Sequence, residues 1–253
     1  MIMKEYKDRT YRKHFCKNRW RGFVAKYKET DVWVGVNQDS FHPDMLKFTI
    51  QTIRTLREKV DFYLNMDAQY VSALLPYHPK ENAPQILKEM SEISYKTGIG
   101  PMSAVAGAFA FYIAQELKKH FNIQEIIIEN GGDIYADIKD DIDVSVFAGS
   151  SPLSEKIGLH IDAKKSPLGI CTSSGTVGHS LSFGKADAVM IVCKNALLAD
   201  SYATVFANRI QTSDDLNPVL EMIENKKDII SALLVKDDKM GVVGEFEMKL
   251  FNF

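Results

Sequence analysis

The chain has 253 residues, 45% of them hydrophobic and 25% charged, which is enough apolar material for the core of one large domain spanning residues 1–253. Its 31 Lys and Arg nearly balance 33 Asp and Glu, leaving a net charge of −2, so no global field recruits nucleic acid or an anionic membrane. Three cysteines, Cys16, Cys171 and Cys193, lie far apart and in no CxxC pair, which excludes a disulfide framework and a structural zinc site and suits a reducing compartment.

Residues 1–21 are dense in Lys, Arg and Tyr and lack the apolar run of a signal peptide. No later run approaches membrane-spanning length, so a cytoplasmic protein without a membrane partner is expected. Strands are expected within residues 10–36, where Phe23, Ala25 and Tyr27 alternate with Val24, Lys26 and Lys28. The basic and aromatic residues here read as a solvated strand edge guarded by Lys and Arg rather than a nucleic-acid surface. Asp44 opens a helix whose apolar positions are Leu46, Ile50, Ile53, Leu56 and Val60. Pro76 and Pro79 interrupt the pattern, and Pro84 starts a short helix with Ile86, Leu87, Met90 and Ile93 on one side.

Pro101 leads into a longer helix with a stripe of Met102, Val105, Phe109, Ile113 and Leu117. Its other side is small: Ser103, Ala104, Ala106, Gly107, Ala108 and Ala110. Such a surface allows tight packing against a sheet, or the approach of a ligand to the helix N-terminus. The run Ile126-Ile127-Ile128 is a buried strand ending at Glu129-Asn130-Gly131-Gly132-Asp133, where two glycines permit a sharp turn or direct backbone contact with a ligand. About four alternating strands follow, then helices at 196–210 and 216–226, then strands at 231–235 and 245–250 with Phe246, Met248 and Leu250 on one face. Hairpin-ordered strands interrupted by helices indicate an α+β fold with mixed, mostly antiparallel sheets and packed helices.

Three places could carry chemistry. The first is Gly131, Gly132 and Asp133. The second is Thr172, Ser173, Ser174 and Gly175, followed by His179. Successive hydroxyls beside a glycine can cradle phosphate oxygens, and a histidine can move a proton near neutral pH; a polar hairpin turn with a surface histidine is the plainer alternative. Cys171 reads as a small hydrophobe at a strand end, with a Cys–His nucleophile pair as the other reading. The third is Ala199-Asp200-Ser201-Tyr202-Ala203-Thr204. On a helix the Asp200 carboxylate and the Thr204 hydroxyl share a face as hard oxygen ligands of the type Mg²⁺ accepts; alternatively Asp200 is a helix cap. Asp187 is a weaker candidate that could simply end a loop.

In this order, a Gly-Gly-Asp after a buried strand, a Thr-Ser-Gly-type loop with a downstream histidine and an Ala-Asp-x-x-Ala-Thr helix resemble the ApbE-like proteins, the FAD:protein FMN transferases. The likeness covers roughly residues 97–210, and is closest to an uncharacterised branch carrying Gly-Pro-Met-x-Ala-Val-Ala-Gly, Glu-Asn-Gly-Gly-Asp and Cys-Thr-Ser-Ser-Gly. The resemblance implies an ApbE-like fold, a Mg²⁺-dependent transferase acting on FAD or a related pyrophosphate, and Mg²⁺ and FAD or FMN as cofactors. It assigns metal ligation to Asp200 and Thr204, contact with the flavin nucleotide to Gly131, Gly132 and Asp133, and proximity to the transferred phosphate to His179. A nucleotide-type ligand and a protein acceptor follow as partners; a homodimer is suggested by the small-residue helix. Two of the family's motifs differ here: Ser180-Leu181-Ser182-Phe183-Gly184 stands in place of Asp-Pro-x-x-Gly, and Val105-Ala106-Gly107 in place of Ala-Lys-Gly. A non-catalytic flavin- or nucleotide-binding protein is therefore the alternative expectation.

Overall fold

The computed structural model describes residues 19–176 and 182–251. It consists of a long antiparallel sheet covered by helices on one face and by a small second sheet on the other. The first hairpin is β1 (Trp20–Tyr27) and β2 (Thr30–Asn37), joined at Tyr27 and Thr30. The remaining strands are β3 (Ile126–Asn130), β4 (Asp133–Asp137), β5 (Ile142–Ser145), β6 (Ile157–Ile161), β7 (Leu168–Ser173), β8 (Ala188–Cys193), β9 (Ile229–Lys236), β10 (Lys239–Gly244) and β11 (Met248–Leu250). The large sheet runs β1-β2-β3-β4-β7-β8-β9-β10 and the small one β11-β6-β5. Every strand pairing among the described residues is antiparallel, so the parallel component expected of a mixed sheet is not found. The basic strand β1 does lie at the sheet edge, where its exposed Arg21, Val24 and Lys26 alternate with buried Ala25 and half-buried Phe23 and Tyr27.

The helices are α1 (Met45–Met66), α2 (Ala68–Ser72), α3 (Gln85–Thr97), α4 (Val105–His120), α5 (Ala196–Ala207) and α6 (Leu216–Glu224). Of the expected α1 stripe, Ile53 and Val60 are buried and Ile50 and Leu56 pack against the core, while Leu46 is 41% exposed; Met45, Thr49, Thr52 and Tyr63 are buried as well. Threonine is tolerated inside because the Thr49 hydroxyl donates to the Met45 carbonyl at 2.7 Å. Pro84 stands at the N-cap of α3, and Pro101 sits in a 3₁₀ turn ahead of α4. In the segment expected to be irregular, buried Asp67 accepts from the Tyr63 and Tyr77 hydroxyls at 2.8 and 2.9 Å, which ties α1 to α2.

The sheet separates two apolar cores. Ile126, Ile128 and Cys171 face the helices, whereas Ile127, Ile134 and Ile170 face the small sheet with Leu159 and Phe246. Coverage on both faces explains why β3 is an unbroken isoleucine run rather than an alternation. Burying each such side chain contributes about 2 kcal/mol. Of Phe246, Met248 and Leu250, expected on one face, Phe246 enters the core, while Met248 and Leu250 on the edge strand β11 are 39% and 64% exposed. No single helix among the described residues is long and apolar enough to cross a membrane.

Candidate functional site

Asn130 and Asp133 pair across the β3–β4 hairpin, and Gly131 and Gly132 form its two-residue turn with φ of 73° and 103°. Both positive angles disfavour a side chain, which is why this turn uses glycine. The turn is held from two sides. The Gly132 N–H donates to Glu129 Oε1 at 2.8 Å, and the Gly132 carbonyl accepts from the Thr172 N–H at 3.2 Å. Glu129 is fully buried, and together with burial it raises the pKa of its neighbour Asp31 to about 6, burial being the larger cause.

Strand alternation then sorts the side chains. Asp133 pairs with Cys171, and both point to the helix face, as does Ser173 two residues on; Thr172 takes the other face. Above this face α5 is brought unusually close. A Cβ on Gly169 would fall 2.3 Å from the Ala196 Cα, and one on Gly107 would fall 2.5 Å from the Ala196 carbonyl oxygen. These two glycines let the start of α5 sit between β7 and α4.

Asp200 is thereby carried to the N-terminus of α4. Its own helix is capped by Asn195, whose Oδ1 accepts from the Leu198 N–H at 3.1 Å, so Asp200 is not the cap of α5. Instead its Oδ2 accepts from the Gly107 N–H at 2.8 Å. A carboxylate at the positive end of a neighbouring helix is a favourable arrangement. Nearby, the Asn130 side-chain amide donates to the Ala106 carbonyl at 3.1 Å, which stitches the glycine turn to the same end of α4.

Asp133 and Asp200 are both buried, at 8% exposure. Burial raises the pKa of each: Asp200 is pushed up to about 7 against the opposing pull of the Gly107 and Ala106 N–H groups, and Asp133 is raised further by the Asp200 charge. Cys171 is raised well above the usual thiol range by burial first and by the two carboxylates next, which makes it inert rather than a nucleophile. Neither carboxylate forms an ion pair with a lysine or arginine among the described residues. Two buried carboxylates present hard oxygen of the kind a divalent cation takes; no group of three or more His, Cys, Asp or Glu that could hold a metal is found among the described residues. Thr204 lies one helical turn beyond Asp200 and is half-buried.

The remaining loop residues are placed differently. The Ser174 hydroxyl donates to the Ala186 carbonyl at 3.3 Å, and the Gly175 N–H donates to the same oxygen at 2.9 Å. Thr176 donates to Asp187 at 3.0 Å, and Asp187 accepts the Asp237 N–H at 2.6 Å. Ser174 and Gly175 thus close their loop onto residues 186–187, and Asp187 anchors it to the β9–β10 turn. His179 lies outside the described residues.

The structure therefore brings Gly131, Gly132, Asp133 and Asp200 to one end of α4, with Ser173 on the same face of the sheet as Asp133. The sequence pattern marked Asn130 as flanking the glycine turn and Gly107 as part of a small helix surface, but assigned no role to Glu129. A charged residue ending an otherwise apolar, doubly buried strand was the one signal that could have marked Glu129.

A family model described as AbpE bacteria matches residues 12–228. The chain belongs to this family. Relatives include an UPF0280 protein of Methanococcus vannielii, 36% identical over 222 residues and covering 86% of this chain and 88% of its own length. Another, from Methanocaldococcus jannaschii, is 33% identical over 223 residues with 86% and 88% coverage. Among solved structures, the apo form of the flavinyl transferase ApbE of Pseudomonas stutzeri has a TM-score of 0.58 at 14% identity, covering 91% of this chain and 94% of that one. The flavin transferase ApbE from Vibrio cholerae has a TM-score of 0.58 at 11% identity, with 91% and 96% coverage. These likenesses establish an ApbE fold for this member of the family.

Proposed function

We propose that this family member binds a flavin or another nucleotide-type phosphorylated cofactor together with Mg²⁺, at the end of α4 where the glycine turn and α5 meet, and that it acts on the pyrophosphate as a flavin transferase-like enzyme. The observation that carries this reading is the buried carboxylate pair, Asp133 and Asp200, with raised pKa values at a helix N-terminus. In a fold shared with flavin transferases, such a pair is the natural holder of a cation that meets phosphate oxygens. Asp200 and Thr204 would hold the metal, and Asp133 lies within electrostatic reach of the same position.

When bound, Mg²⁺ supplies neutralisation of the charge on a pyrophosphate. The chain's own groups do the rest. Gly131 and Gly132 keep the turn free of side chains, so a nucleotide can approach the backbone. Ser173, on the face of Asp133, offers a hydroxyl to phosphate oxygens. Asn130 and Asp200 fix the first turn of α4 from opposite sides, through its carbonyl and its N–H group. His179 is the proposed proton carrier.

A non-catalytic nucleotide binder is the second reading. It is favoured by the engagement of Ser174 and Gly175 in closing their own loop, and by the absence of the family's Lys and Asp-Pro residues at 106 and 180–181. Incubating the purified protein with FAD and Mg²⁺ separates the two. Release of AMP and FMN supports the enzyme. Bound flavin without AMP supports the binder, and no flavin bound in either form removes flavin from the account.

A further inference from the structure

A second site lies on the far side of α5. A helix turns about 100° per residue, so Tyr202, Val205, Phe206 and Arg209 project opposite to Asp200. With residues of α6 they line a cleft of about 320 Å³. Its apolar wall is Val205, Phe206 and Met222, and its rim carries Arg209 and Lys226. That volume falls at the lower end of the range for small-molecule sites.

Three donor-bearing residues line it, Tyr202 buried and Arg209 and Lys226 exposed. Tyr202 is a buried residue, 4% exposed, that lines the cleft, and its hydroxyl has no hydrogen-bond partner among the described residues. That hydroxyl is open to solvent and can donate to a ligand acceptor in the cleft. Burial, and secondarily the Asp228 carboxylate, raise its pKa, so the phenol keeps its proton and donates. The Arg209 guanidinium touches only the Met222 sulfur, at 3.8 Å, and neither it nor Lys226 forms an ion pair among the described residues. Neither cation is needed as a helix cap. The Thr204 and Phe206 carbonyls ending α5 already accept backbone N–H groups of Asn208 and Arg209, and the Ile223 carbonyl of α6 accepts that of Lys226. No carboxylate belongs to the lining.

We propose that this cleft binds a small organic oxyanion, a carboxylate or phosphate on a flat apolar body. Its charged end meets Arg209, Lys226 and the Tyr202 hydroxyl, and its body lies on Phe206 and Met222. Guanidinium and ammonium together set the charge preference, and the apolar wall selects against a bare inorganic ion. The site is separate from the carboxylate pair and does not depend on the function proposed there.

Calorimetric titration with phenyl phosphate, benzoate and inorganic phosphate, without Mg²⁺, tests it. Phenyl phosphate or benzoate should bind, each at least tenfold more tightly than inorganic phosphate. Arg209→Met and Lys226→Met should each weaken binding at least tenfold, and Tyr202→Phe about fivefold. Asp200→Asn should leave it unchanged, which separates this cleft from the carboxylate site. Three results would overturn the proposal: no binding of either aryl anion to the wild-type protein, equal affinity for inorganic and phenyl phosphate, or full binding by the folded Arg209→Met, Lys226→Met and Tyr202→Phe proteins.

Discussion

Asp200→Asn tests the electrostatics of the carboxylate pair directly. The Asp200 pKa stands at about 7 against an ordinary value of 3.8, so the folded state holds this proton more tightly than the unfolded chain. Stability from this group is fully present below pH 4 and is lost as pH rises through about 7. A shift of this size corresponds to roughly 4 kcal/mol of destabilisation once the group is ionised. Asparagine keeps the shape and an oxygen for the Gly107 N–H, and its amide can donate toward Asp133. Losing the second acceptor costs about 1 kcal/mol, leaving a net gain of roughly 2–3 kcal/mol at pH 8 and no gain at pH 5. Urea denaturation of the metal-free proteins at pH 5, 6, 7 and 8 measures the difference. Mg²⁺ with a pyrophosphate-containing nucleotide should then stabilise the wild-type protein at pH 8 and not the variant. Identical pH dependence of the two metal-free proteins would refute the reasoning, because it would mean Asp200 is ionised without penalty in the folded state.

Four further outcomes follow from the packing. Gly107→Ala places a Cβ 2.5 Å from the Ala196 carbonyl and 3.0 Å from the Asp200 Cβ, so it should lower stability by about 1–3 kcal/mol and weaken any Mg²⁺ coupling, as read by denaturation and calorimetry. Gly132→Ala, at φ of 103°, should cost about 1–3 kcal/mol from backbone strain alone, since the space around it is open to 3.5 Å. Ser201 shares hydroxyl hydrogen bonds with Thr97 at 2.8 Å and Ser103 at 2.9 Å, so Ser201→Ala should cost about 1–2 kcal/mol in thermal or urea unfolding. In a Cys16→Ser background, Cys171 and Cys193, both buried with raised pKa values, should react with a thiol reagent only on unfolding; fast labelling of the native protein would contradict that burial.

The sequence by itself determined the pieces. The β-branched run at 126, 127 and 128 reads as a buried strand, and Gly131-Gly132 as a tight turn or a contact surface. Helical periodicity placed Ile86, Leu87, Met90 and Ile93 inside α3, where they are. On α1 it placed Ile50, Ile53, Leu56 and Val60 toward the core but misplaced Leu46 and missed Thr49 and Thr52; the Thr49 hydroxyl bonds back to the helix, which an apolar pattern cannot show. Period-2 alternation grouped Phe246, Met248 and Leu250 on one face but could not say how much of it is covered, and on the edge strand β11 Met248 and Leu250 stay exposed. What only the tertiary structure decided was who meets whom. Asp133 and Asp200 stand 67 residues apart in the chain. They come together because Gly107 and Gly169, themselves far apart, leave room for α5 between α4 and β7. Side-chain type and spacing can suggest that an aspartate on a helix binds a metal or caps it. Only the packing shows that its oxygen is turned to the N-terminus of a different helix, which no local pattern encodes.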